Sequence, residues 1–105
     1  MDRAERLERQ GRWEEAIIEF KNAIRLDPHL PDAHAALGYH YQRKGLGAKA
    51  AEAFRMAAVL SDDYDSYFSW GHTLIDLDRL SEAEYAIDQC LRQRPGDPAA
   101  RYELA

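Results

Sequence analysis

Internal repetition constrains the fold of this 105-residue chain more strongly than any other feature of its sequence. Small residues recur in step, with separations of 34 and 33 residues, at Ala16, Ala50 and Ala83. The same register aligns two further series, Phe20, Phe54 and Ile87 and then Ala23, Ala57 and Cys90. Repeats of about 20 to 50 residues are typical of arrays in which each supersecondary unit buries its apolar face against its neighbours. The chain is therefore predicted to be such an array.

Each period contains two sets of mainly apolar residues, and the spacing within each set places its members along one face of a helix, as a stripe. In the second period, His34 is followed at i+3, i+4 and i+7 by Leu37, Gly38 and Tyr41, which places all four on one face of a helix. Glycines and prolines separate the stripes, and no useful stretch alternates polar and apolar residues as a strand would. The predicted helices span residues 2–10, 13–26, 31–44, 47–60, 64–77 and 80–93, with a partial helix over 98–105.

The stripes carry a family pattern. The second period reads His34-x2-Leu37-Gly38-x2-Tyr41 and then Ala50-x3-Phe54, and the third reads Tyr67-x2-Trp70-Gly71-x2-Leu74 and then Ala83-x3-Ile87. This resembles the tetratricopeptide repeat (TPR) family, whose pattern is W-x2-L-G-x2-Y, then A-x3-F, then P. The resemblance implies an all-α, right-handed superhelical solenoid of antiparallel helix pairs. It also implies one TPR domain over 1–105, with about three repeats at 1–30, 31–63 and 64–97, and incomplete ends that include the partial helix 98–105.

Three positions depart from the family pattern. His34 stands in place of Trp, Asp62 replaces the final Pro, and Gly47 stands where an aromatic residue opens the second helix. We expect weaker local packing at these positions and an unchanged architecture, with His34 as a partly buried packing residue. Small residues such as Ala50 are expected to let paired helices approach closely, while large residues such as Phe54 fill the gaps between pairs.

Few residues are suited to catalysis or metal binding. None of the four histidines lies three or four residues from another, so no metal site is expected. Cys90 lies on a core stripe and is predicted to be an inert buried thiol. Ser81, with Glu84 three residues later, fits a helix capping box better than a nucleophile. Because no phosphate-binding glycine loop or nucleophile motif is present, we expect neither enzyme activity nor a cofactor.

Charge and hydropathy exclude further classes of partner. The chain has 14 Lys and Arg residues against 19 Asp and Glu, a net charge of −5, which repels nucleic acid and anionic lipid at long range. No apolar stretch approaches the roughly 20 residues of a membrane span. The charged residues 1–10 contain no apolar signal region. We therefore expect a cytoplasmic protein that binds neither nucleic acid nor membranes.

In TPR proteins the first helix of each pair lines a concave groove that receives peptides or helices of partner proteins. By alignment, the predicted groove positions are Glu5, Arg9, Tyr39, Gln42, Arg43, Phe68, Ser69, His72, Ile75 and Asp76, with Asp32, Ala35, Ala36 and Asp65 beside them. Tyr39, Phe68 and Ile75 are apolar although they fall outside the core stripe, which is typical of binding hot spots. The alternative is that Phe68 and Ile75 pack against the neighbouring helix pair.

The expected ligand follows from the same alignment. Some co-chaperone TPR domains clamp an EEVD-type tail through its terminal carboxylate, using Lys, Asn and Arg side chains. At the matching positions this chain has Glu5, Ala36, Asp65 and Ser69, so that ligand is disfavoured. A mixed apolar and acidic groove better suits an amphipathic helix or an extended segment with Lys or Arg at its edges. The predicted function is a protein-interaction scaffold that binds such a segment.

The incomplete ends leave two other interpretations open. No sequence long enough to cap the array follows Cys90 and Leu91, although a terminal repeat needs a polar-faced helix over its last apolar stripe. The chain is either a piece of a longer TPR scaffold or chaperone, or a self-assembling structural unit. In the second case its end helices would be covered by another copy in a homo-oligomer.

Overall fold

Six α-helices make up the residues that the computed structural model describes, namely 2–96. They are α1 (Asp2–Arg9), α2 (Trp13–Leu26), α3 (Pro31–Arg43), α4 (Gly47–Ser61), α5 (Tyr64–Asp76) and α6 (Leu80–Gln93). No strand occurs between residues 2 and 96. All six helices predicted within this range are confirmed, with bounds that differ by at most one residue at either end. The partial helix predicted over 98–105 lies outside the described residues.

Each helix packs against the next one in the chain. α1 with α2, α3 with α4, and α5 with α6 form pairs, and the pairs are joined by the contacts of α2 with α3 and of α4 with α5. The apolar core follows the same order, because one buried cluster spans α1 to α4 and a second spans α4 to α6. Tyr41 packs against both clusters. The molecule is therefore an all-α solenoid with a continuous core.

Small residues set the distance between the helices of a pair. Ala50 and Ala83 are 0% and 1% exposed. A Cβ atom added to Gly38 would lie 2.7 Å from Cδ1 of Phe54, and one added to Gly71 would lie 2.7 Å from Cδ1 of Ile87. Such distances are too short for carbon atoms in contact, so each large side chain occupies the space that its glycine leaves. The expectation that the large residues fill only the gaps between pairs is therefore wrong, because Phe54 and Ile87 also pack against the small residues within their own pairs.

The turn between α4 and α5 (residues 62–63) is shorter than the turn between α2 and α3 (residues 27–30), and the period of the repeat is one residue shorter here. Asp62 ends α4 in the left-handed conformation (φ 52°), and Asp63 directly caps α5 by accepting a hydrogen bond of 2.9 Å from the Ser66 amide. Burial favours the protonated form of Asp63, but hydrogen bonds from Ser66 and Ser61 outweigh it and lower the pKa of this carboxyl. Asp63 therefore caps α5 as a carboxylate.

One capping prediction is wrong. Ser81 and Glu84 both lie inside α6, and the residue that precedes this helix is Arg79, which makes no side-chain cap hydrogen bond. Arg79 instead contacts Glu82, with 2.7 Å between Nη2 and Oε2. The helix begins one residue before Ser81, so the Ser81 hydroxyl is too far along the chain to accept from the third helical amide as a capping box requires.

The remaining structural predictions concern single residues. His34 is half-buried, as predicted, and its Nε2 donates a hydrogen bond of 3.1 Å to the carbonyl of Pro28. Cys90 is fully buried, as predicted. At Gly47, the space that an aromatic side chain would need is occupied by Leu77, whose Cδ2 atom lies 2.8 Å from the position of an added Cβ.

A buried histidine sits where the first pair meets the second. His40 is 2% exposed, and its ring lies 5.2 Å from that of Trp13 and 5.8 Å from that of Phe20. Arg43 donates a hydrogen bond of 3.1 Å to Nδ1 of His40, which requires this nitrogen to be unprotonated. Burial and the charges of Arg43 and Lys44 lower the pKa of His40, although Glu14 opposes them. The folded chain therefore holds His40 neutral.

This histidine predicts how stability depends on pH. An unfolded histidine takes up a proton as the pH falls below about 6.5, whereas folded His40 resists protonation to a lower pH. The free energy of unfolding should therefore fall between pH 7 and pH 5, by up to about 1.4 kcal/mol per pH unit. In His40→Phe this dependence should be weaker, while His29→Gln, at an exposed histidine, should keep it. Denaturant titrations at several pH values would measure this, and equal slopes for wild type and His40→Phe would contradict it.

Candidate functional site

A groove lies between α3 and α5, the first helices of the second and third pairs. The Tyr39 hydroxyl of α3 and the Ser69 hydroxyl of α5 share a hydrogen bond of 3.2 Å across it. This contact separates two shallow depressions of about 210 and 280 Å³. The acidic depression is lined by Asp32, Ala35, Tyr39, Phe54, Asp63, Asp65, Ser66 and Ser69. The aromatic depression is lined by Tyr39, Gln42, Phe54, Phe68, Ser69 and His72.

Aromatic rings form the walls of the aromatic depression. Tyr39 is 51% exposed and meets Phe54 edge to face, with 5.0 Å between the ring centroids. Phe54 is 1% exposed and belongs to the core, so it supplies a rigid floor. On α5, the half-buried Phe68 is stacked between Tyr64 and His72, at centroid distances of 5.7 and 6.4 Å. The depression therefore offers apolar surface whose side chains are already held in place.

Carboxylates dominate the acidic depression. Asp32 and Asp65 lie in the first turns of α3 and α5, and Asp63 lies just before α5. Asp32 and Asp65 are exposed, and neither forms an ion pair within the described part of the chain. Within the described part of the chain, no Lys or Arg lines either depression. Because the hydrogen bonds to Asp63 lower its pKa, this depression carries negative charge at neutral pH.

The structure brings together five of the ten predicted groove residues. These five line the aromatic depression and are Tyr39, Gln42, Phe68, Ser69 and His72. Asp76 lies next to them, with Oδ2 3.8 Å from Nε2 of His72. Phe68 and Ile75 both pack against the core cluster, which contains residues of their own pair and of the neighbouring one, and Phe68 also lines the depression. Asp32, Ala35 and Asp65 line the acidic depression.

Three further predicted groove residues belong to the first helix pair or contact it. The guanidinium of Arg43 stacks on the ring of Trp13, 3.9 Å from its centroid, and so contacts the first helix pair. Glu5 and Arg9 are on α1. Neither Arg43 nor Arg9 is among the lining residues of the two depressions.

Two residues that line the depressions, Phe54 and Asp63, are not among the predicted groove residues. The stripe position of Phe54 predicts a packing residue between helix pairs, and it says nothing about a ring edge that is reached from the groove. A signal for Asp63 was available in the sequence, since an Asp directly before a helical pattern is a favoured N-cap and so marks the start of α5.

Other kinds of site are not found among residues 2–96. No group of three or more His, Cys, Asp or Glu side chains is placed there to hold a metal ion. Within the same range, no helix combines the length and apolar character needed to cross a membrane.

Sequence comparisons match part of the chain to known proteins. The family model described as "TPR repeat" matches residues 6–45. Superkiller protein 3 of Schizosaccharomyces pombe is 32% identical over 75 residues, which are 71% of this chain. The matched segment covers only 5% of that relative, so the likeness concerns a small part of the relative's length.

Solved structures match nearly the whole chain. The first TPR domain of Spaghetti (RPAP3) bound to the HSP90 peptide SRMEEVD has a TM-score of 0.78 at 24% identity, covering 98% of this chain and 85% of that one. The second TPR domain of human RPAP3, in complex with the HSP70 peptide SGPTIEEVD, has a TM-score of 0.82 at 23% identity, covering 98% and 87%. MamA has a TM-score of 0.87 at 24% identity, covering 99% and 61%. At these identities the likeness concerns the fold.

Proposed function

We propose that this chain, a tetratricopeptide repeat protein, is a protein-interaction scaffold whose groove binds a peptide or helical segment of a partner protein. The observation that carries this proposal is the aromatic depression. Tyr39 of α3 and Phe68 of α5 line this depression together with the buried Phe54. Their apolar surface can therefore be reached from solvent. Exposed aromatic side chains on a rigid floor are typical of the residues that dominate binding energy at protein interfaces.

The structural neighbours support this proposal in a general way. Both RPAP3 domains have peptides bound, which shows that this fold can take up a short segment of another protein. Their peptides end in EEVD, whereas this chain has Ala36, Asp65 and Ser69 at positions where the clamp for such tails would need Lys, Asn or Arg. The proposed partner segment is therefore of another kind, and the SRMEEVD peptide is a suitable negative probe.

The proposal predicts that removing the two rings that line the aromatic depression from α3 and α5 weakens partner binding. In the double variant Tyr39→Ala with Phe68→Ala, affinity for a partner captured from native extract should fall about tenfold or more, because each ring has the features of a hot spot. Affinity can be measured by biolayer interferometry with the tagged chain. A circular dichroism spectrum would check that helicity is kept.

A matched control is available outside the groove. Ile18 and Val59 are 57% and 58% exposed and line neither depression. Ile18→Ala with Val59→Ala removes a similar amount of exposed apolar surface and should leave affinity within about twofold, the scatter expected of neutral surface substitutions. Undiminished affinity in the Tyr39 and Phe68 double variant would exclude this groove as the binding site.

A further inference from the structure

We infer that the groove selects a segment in which a Lys or Arg side chain lies next to an apolar one, an inference that rests on the proposed function. The two depressions meet at Tyr39, Phe54 and Ser69, which line both of them. A single bound segment therefore meets carboxylates on one side of the Tyr39–Ser69 contact and aromatic rings on the other. The groove thus selects for two adjacent features of its partner, a positive charge and an apolar side chain.

The acidic depression supplies the selection for positive charge. Its carboxylates belong to Asp32, Asp63 and Asp65, and among residues 2–96 no Lys or Arg lines the depression to neutralise them. All three lie around one volume of about 210 Å³, so a cation placed there is within the roughly 10 Å over which charges interact at moderate ionic strength. The exposed ring of Tyr39 adds a face on which a guanidinium or ammonium group can stack. An anionic segment meets repulsion at the same place.

The spacing of the groove residues sets the spacing of the partner residues. Phe68 follows Asp65 by three residues on α5, which is about 4.5 Å along the helix axis. A partner helix places side chains three or four residues apart at a similar separation on one face. In an extended partner, alternate side chains lie about 6.6 Å apart on one face. The selected segment therefore carries its cation and its apolar side chain at i, i+3 or i+4 if helical, and at i, i+2 if extended.

An unbiased selection tests this inference. Random 12-residue peptides displayed on phage would be selected on the full 105-residue chain, and the enriched peptides would be titrated by fluorescence anisotropy. The enriched peptides should share a Lys or Arg at one of the stated spacings from an apolar residue. Replacing that Lys or Arg by Gln should weaken binding about fivefold or more, and raising the salt from 50 to 500 mM should weaken it severalfold. The SRMEEVD peptide should not compete.

Substitutions of the groove carboxylates test whether these groups cause the selection for positive charge. Asp32→Asn with Asp65→Asn should weaken binding of the enriched peptide about five- to twentyfold, because two partly exposed charge interactions are lost. Asn has nearly the same shape as Asp, and the loss of one first-turn charge costs a helix only about 0.3–1 kcal/mol, so folding should be retained. The control is Glu84→Gln with Asp88→Asn, which removes two exposed charges from α6 and should leave affinity unchanged.

The outcomes separate the inference from the function on which it rests. Enriched peptides that lose affinity in the Tyr39→Ala, Phe68→Ala variant but need no cation would support the groove and overturn the charge selection. Enriched acidic peptides would overturn it as well. Peptides that bind the Tyr39→Ala, Phe68→Ala variant equally well, or the absence of any enriched peptide, would count against the proposed function itself and against this inference with it.

Discussion

Replacing Phe54 with alanine is expected to lower the free energy of unfolding by about 3–5 kcal/mol. The ring is 1% exposed, belongs to the cluster that joins α4 to α6, and occupies the space left by Gly38 on the facing helix. Removing it leaves a cavity in the contact within the second pair, where helices held by their other contacts cannot fully close the gap. A loss of this size is a large part of the roughly 5–15 kcal/mol that stabilises a domain.

The cost can be measured by urea denaturation followed by circular dichroism. Val59→Ala is the matched control, since it shortens an exposed side chain five residues further along the same helix and should change stability by no more than about 0.5 kcal/mol. Because Phe54 also forms the floor of both depressions, the variant should lose peptide binding at temperatures where it is still folded. A cost below about 1.5 kcal/mol would show that this ring does not hold the second pair together.

Enlarging the small residues should destabilise the array by a different route. Ala50→Leu and Ala83→Leu each insert three carbon atoms where the helices of a pair touch, at positions that are 0% and 1% exposed. We expect each substitution to cost about 1–3 kcal/mol, because the helices must move apart or the leucine must adopt a strained rotamer. Leucine and alanine both favour helices, so helix propensity contributes little to the difference.

Thermal unfolding of the two variants beside Ala48→Leu would measure this effect. Ala48 lies on the exposed side of α4, two residues before Ala50, and the same substitution there should leave the midpoint nearly unchanged. If both core variants unfold at the same midpoint as the wild type, the recurring alanines are not what allows the paired helices to approach closely.

The helices could be predicted from the sequence because their determinants are local. The i, i+3, i+4, i+7 stripes and the glycines and prolines between them act within a few residues, so the observed bounds lie within one residue of those predicted. The capping prediction at Ser81 failed for a related reason. Several residues near a helix start can serve as a cap, and a shift of one residue changes which amide the side chain can reach.

The candidate site was only partly predictable. Alignment with the family placed Tyr39, Phe68 and Ser69 on the groove side, and all three line the aromatic depression. The same alignment placed Arg43 there, but its guanidinium stacks on Trp13 of the preceding pair. A long side chain on the edge of a helix can reach either neighbour, and the aromatic ring nearby decides which one it contacts. Two expectations stay predictions, namely the bounds of the individual repeats and self-association through the end helices.

The sequence by itself determined the repeat, the six described helices and the positions at which small and large side chains recur. Those features depend on the order of residues along single helices and on contacts between helices adjacent in the chain. Only the tertiary structure decided that Tyr39 reaches Ser69, thirty residues later, and that Asp32 and Asp65 share one depression. Such contacts depend on the angle at which one pair stacks on the next, and that angle arises from the packing of the whole core rather than from any local pattern.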